Sequence, residues 1–324
     1  MKFIRNEDRG ARVSREDSEG LIAEVARGAA DANAGIFGPE SVSWKINRES
    51  ALFLGAGRAA LLQLAHPWVA TALADHSNLM AKPIARFHNT FRIVFTMIFG
   101  SLDQAMAAAR HLYALHTRVR GEMPEDVAAY RRGSTYEANE IAALRWVYAT
   151  LVESAVIAYE CVMPALKAEE LDAYYAESKT LAALFGLPSS ALPEDWSWFV
   201  AYCREMEQSS ALGVNDKSRS MAQSLLAGAG SWIHPPHWYR ALTTEWMAPR
   251  FRDEFGLSFD DGDRRAAERA KRRFKLIYRT LPEAVRFVGP WHEAILRLEG
   301  RDAGVLTRAS NRFWIGQSRL PFGS

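Results

Sequence analysis

The chain has 324 residues, an apolar fraction of 48% and a formal net charge of +2, from 40 basic and 38 acidic residues. This is a globular composition with no charge excess to recruit nucleic acid. Its only cysteines, Cys161 and Cys203, form no C-x-x-C pair, which argues against a zinc–thiolate site.

Residues 1–35 are polar and read as a loose leader with one short helix; residues 36–324 read as a single domain. The opening MKFIRNEDRGARVSRE has no apolar signal core. No uncharged apolar run reaches the roughly 18–20 residues of a membrane span. Trp146 to Leu166 comes nearest, but Glu153 and Glu160 interrupt it. A soluble, cytoplasmic protein is expected.

From Ser50, a candidate cap, a helix is predicted through ALFLGAGRAALLQLAH. His66-Pro67 ends it, because a residue before proline is pushed away from α geometry. Pro67 then opens a short helix. GAGRA at 55–59 lacks the third glycine and the strand of a dinucleotide fingerprint. Its small residues fit close helix packing or close approach to a flat cofactor.

Pro83 opens the next helix, IARFHNTFRIVFTMIF, which stops before Gly100. Ile84, Phe87, Phe91, Val94, Phe95 and Ile98 form its main stripe, and Arg86, Thr90, Ile93 and Met97 a mixed one. Arg86 and Thr90, four apart, share a face. A helix apolar on most sides is expected to be central.

Ser101 and Gln104 have capping-box spacing, and Gly121 is a candidate stop. Between them Leu102, Ala105, Met106, Ala109, Leu112, Tyr113, His116 and Val119 recur at helical spacing, which aims His116 at a core. After a polar loop, a long helix spans roughly 138–163. Further helices are predicted at 168–185, 194–211, 217–228, 238–255, 262–280 and 282–298, with prolines at the joints. No series of alternating strands is present. The predicted fold is all-α, a single bundle-like domain.

A neutral imidazole in an apolar stripe either bonds a backbone carbonyl or binds a metal. As a ligand, His116 suits haem iron, which needs one axial imidazole. Nonhaem iron wants two histidines and a carboxylate, and His111 lies about 140° around the helix. Arg86 and Thr90 are either a core-edge salt bridge and threonine, or a polar patch over a cofactor. His66 serves most simply as a helix terminator. His76 falls in a turn, and no G-x-S-x-G elbow supports a hydrolase. The basic run at 264–279 is either a solvated face or a peripheral membrane contact.

LGAGRAALLQLAHPWVA, HSN, RFHNT at 86–90, FG at 99–100, LHTRVRG at 115–121, YEAN and LRWVYATLVES recur in this order over roughly 38–290. Together they resemble the MpaB/latex-clearing-protein oxygenase family. The resemblance implies an all-α, partly globin-like fold with a b-type haem in a buried pocket. It implies His116 as proximal iron ligand, with Arg86 and Thr90 near the haem. The lysine that precedes this threonine in latex-clearing members is Asn89 here, so a distal lysine ligand is missing. Their distal glutamate has no counterpart in HPWVATALADHS, so the alkene-cleaving mechanism does not carry over whole. His66 and His76 are candidates for distal polarity, and Arg58 for a propionate partner.

The expected function is a haem b oxygenase acting with O2 on a small hydrophobic substrate: isoprenoid, lipid or aromatic. The alternatives are a non-catalytic haem or hydrophobic-ligand carrier, and a cofactor-free scaffold.

Overall fold

The computed structural model describes residues 10–77, 83–231 and 234–322. Residues 1–9 of the leader and Asn78 of the HSN string lie outside the described residues. The chain is mostly helical, as expected for an all-α fold. Helices α1 (Arg15–Gly28) and α2 (Val42–Asn47) precede a 3-10 turn, Ser50–Leu54. Then come α3 (Ala56–Leu64), α4 (Pro67–His76), α5 (Pro83–Phe99) and α6 (Leu102–His116). A hairpin of β1 (Arg120–Glu122) and β2 (Thr135–Glu137) follows, antiparallel with Gly121 opposite Tyr136. The second half holds α7 (Ile141–Val162), α8 (Ala168–Leu184), α9 (Trp196–Gln208), α10 (Asp216–Ala227) and α11 (His237–Glu245). It closes with α12 (Pro249–Phe255), α13 (Asp261–Ile277), α14 (Glu283–Arg286), α15 (Gly289–Leu298) and α16 (Val305–Ile315).

Helix α7 is the central element. It is long and apolar enough to cross a membrane by length and composition alone, yet most of its side chains are buried in this fold. Trp146 is 1% exposed, and its indole N–H donates to Leu62 O at 2.9 Å, tying α7 to α3. Gly55 and Gly57 permit that layer. A Cβ at Gly55 would stand 2.5 Å from Ser154 O on α7, and one at Gly57 2.7 Å from Thr243 Oγ1 on α11. The small residues of GAGRA therefore serve helix packing.

Helices α5 and α6 form a hairpin around Gly100 and Ser101. The capping box is present: Ser101 Oγ accepts from Gln104 N, and Gln104 Oε1 from Ser101 N. Met97 and Ile93 of α5 pack in one cluster with Ala105, Ala109 and Leu112 of α6. Phe95 and Phe99 face the opposite side, toward Trp44 and Val288.

Several boundaries differ from expectation. Ser50 does not cap a helix: its hydroxyl donates to Val285 O, and a 3-10 turn precedes α3. Helix α6 stops at His116, and Gly121 lies in the hairpin, where a Cβ would meet the Tyr136 hydroxyl at 2.5 Å. The leader is not loose after Gly10. Ser14 and Asp17 cap α1, and α1 buries Ile22 and Val25 against α6 and α8. The predicted helix 238–255 divides at Trp246 to Ala248, and 282–298 divides at Phe287 and Val288.

Candidate functional site

Arg86 lies about as far from the α5–α6 turn as His116 does along the returning helix. The apolar stretch nearer the turn zips the two helices together, so both polar side chains end up at the open end of the hairpin. Their charges interact there. Burial first, and the Arg86 charge second, hold His116 down at about 4, against an ordinary value of 6.5. A side-chain hydrogen bond with Asn139, just before α7, acts the other way. Nδ1 of His116 is buried and has no hydrogen-bond partner.

Arg86 is unusual in a second way. It retains accessible surface, yet desolvation lowers its proton affinity. Among the described residues no carboxylate pairs with Arg86. A desolvated guanidinium remains charged at neutral pH and calls for an anion. Thr90 Oγ1 donates to Arg86 O at 3.1 Å, and Asn89 is exposed beside it. On the same face of α5, Ile93 keeps partial exposure, whereas Phe87 and Phe91 turn to the opposite face and pack with Phe53 and Phe95.

The other predicted residues are engaged elsewhere. Arg58 is 4% exposed and uses four of its five N–H donors. Its guanidinium donates to Glu153 at 2.7 Å, Glu207 at 3.1 Å, Ser154 at 3.1 Å and Trp246 O at 3.1 Å. It joins α3, α7 and α9, and a propionate would have to displace a carboxylate to reach it. His66 is the N-cap residue of α4, with Nε2 3.2 Å from the Tyr130 hydroxyl. His76 Nε2 donates to Arg120 O at 3.1 Å and lies 3.2 Å from the Tyr136 hydroxyl, which donates to Asp75 at 3.0 Å. These described contacts of His76 fasten the β-hairpin to α4.

Asn139 carried no role in the sequence reading. It is 7% exposed and reaches the His116 ring from the end of the YEAN string. A buried amide directly before a long apolar helix was the only local signal.

Among the described residues, no three His, Cys, Asp or Glu side chains gather as a metal site. A metal bound at His116 would rest on one protein ligand, which suits haem and not a bare cation. Residues 44–286 match the family described as ER-bound oxygenase mpaB/B'/Rubber oxygenase, catalytic domain. This chain belongs to that family. The matched span holds Arg86, Thr90, His116 and Asn139, whereas α1, α15 and α16 flank it. No curated protein and no solved structure matches the chain.

Proposed function

We propose that the protein is a haem b-dependent oxygenase of small hydrophobic substrates, with His116 as the proximal ligand. The observation that carries this reading is a buried imidazole nitrogen beside an arginine, neither of which has a hydrogen-bond or ion-pair partner of its own at that atom among the described residues. The first offers a neutral lone pair at pH 7, and the second a site for a carboxylate.

A haem bound here would supply an O2-binding iron and its redox chemistry. The protein's own contributions follow from the residues. Asn139 restrains the imidazole ring, as partners of metal-bound histidines do. Arg86 would hold a carboxylate of the bound group through a charge-assisted pair. The Thr90 hydroxyl, now turned to Arg86 O, would rotate to donate to a ligand bound beside Arg86. Asn89 adds a neutral amide where latex-clearing members place lysine. The partly exposed Ile93, on the Arg86 and Thr90 face of α5, favours an apolar substrate. A peripheral membrane contact at 264–279 belongs to the same reading, supported by Leu276, 77% exposed among the arginines of α13.

The test is oxygen uptake by reduced, haem-loaded protein with a panel of isoprenoids, fatty acids and aromatics. Substrate-dependent uptake that is lost in Thr90→Val and Arg86→Leu supports the oxygenase. Haem binding without uptake for any member of the panel would leave a carrier.

A further inference from the structure

A cavity of about 770 Å³ lies between the 3-10 turn Ser50–Leu54, α11 and α13. It shares no residue with the His116 site. Its volume falls within the usual range of small-molecule pockets, roughly 300–1,000 Å³. Space exists because α13 turns Ala266 and Ala270, four apart, toward the interior. Phe53, Trp238 and Phe274 supply aromatic walls.

The polar groups deep in this cavity are already satisfied. Tyr239 donates its hydroxyl to Phe53 O at 3.0 Å and accepts from Gly57 N at 3.1 Å. Tyr278 accepts from Ala51 N at 3.0 Å and donates to Arg286 O at 3.1 Å. Ser50 donates to Val285 O, and His237 pairs with Asp263 at 2.7 Å. What enters must therefore be apolar along its body. Two lining groups differ. Arg269 and Arg273, one helical turn apart, are exposed, and neither has an ion-pair partner among the described residues.

The geometry points to a binding site for a single-chain amphiphile with an anionic head. The chain lies between Phe53, Trp238 and Phe274, and the head pairs with Arg269 and Arg273. This site does not depend on the haem reading.

Calorimetric titration of the full-length protein with decanoate, decyl phosphate and decan-1-ol tests it. Saturable binding of decanoate or decyl phosphate is expected, and comparing the two separates carboxylate from phosphate heads. The double substitution Arg269→Ala/Arg273→Ala should weaken the anionic ligands roughly tenfold or more and leave the alcohol unchanged. These arginines are exposed, so the variant keeps its fold, and its haem absorption should equal that of the parent protein. Ala270→Trp, which fills the cavity, should abolish binding of all three. Absence of saturable binding, or anion binding that survives both sets of substitutions, overturns the assignment.

Discussion

Arg86 on α5 and His116 on α6 face each other at the open end of a helical hairpin, and the charge of the first helps keep the second neutral. Among the described residues the imidazole has a buried nitrogen without a partner, and the guanidinium meets no carboxylate. Two such costs side by side are what a pocket made for an anionic, metal-bearing ligand would accept.

Acid should destabilise the cofactor-free protein through His116. Its value is about 4 in the folded chain and near 6.5 when unfolded. The unfolded state therefore binds the extra proton first as pH falls. Stability is complete above about 6.5 and declines toward 4, by at most ~3 kcal/mol. Urea unfolding at a series of pH values should show this slope in the parent protein and a flatter one in His116→Leu. Equal slopes would contradict the burial of a neutral ring.

Arg86→Met should act differently on the two states. Removing a charge that has no carboxylate partner among the described residues should leave the haem-free chain at least as stable as the parent protein. The same change should weaken haem binding by roughly 10–100-fold, through the loss of a charge-assisted pair. Denaturation and haem titration on one variant read both. A variant that is less stable without haem, yet retains full haem affinity, would refute the counter-ion argument.

Arg58→Met should be a stability lesion and not a cofactor lesion. Arg58 sits between Glu153 and Glu207, and removing it strands two partly buried carboxylates. A loss of ~3–5 kcal/mol is expected. Glu207→Gln should cost less, since burial already pushes that carboxyl upward. Thermal melts give the order, and haem affinity of the folded fraction should be unchanged.

Gly121→Ala should loosen the β-hairpin. The new Cβ would meet the Tyr136 hydroxyl, which joins Asp75 and His76. Overpacking of this kind costs about 1–3 kcal/mol. Amide exchange should rise at Arg120 to Glu122 and at Thr135 to Glu137 while α7 stays protected.

The α5–α6 pair was legible because capping chemistry and apolar period agree: Ser101, Gln104 and Pro83 mark ends that the structure keeps. The mixed stripe of α5 with Arg86 and Thr90, and the stripe of α6 that ends at His116, were legible for the same reason. Gly121 misled because a glycine demanded by a neighbouring ring looks like a helix stop. The ion pairs of Arg58 were not legible because its partners lie 95 and 149 residues away, and nothing local announces an ion pair of that range. Asn139 was hidden likewise, since its role depends on how the chain before α7 folds back against α6. Helix α1 looked loose because its mean polarity is high, although Ile22 and Val25 suffice to dock it.

The absorption spectrum of protein produced with added haem precursor tests the central claim most directly. It would be recorded before and after dithionite, then under carbon monoxide, for the parent protein and His116→Ala. The account predicts a Soret band that shifts on reduction and again with carbon monoxide. It also predicts loss of that band in His116→Ala, with helical circular dichroism retained. A folded parent protein that takes up no haem, or a Soret spectrum indifferent to His116→Ala, would contradict it.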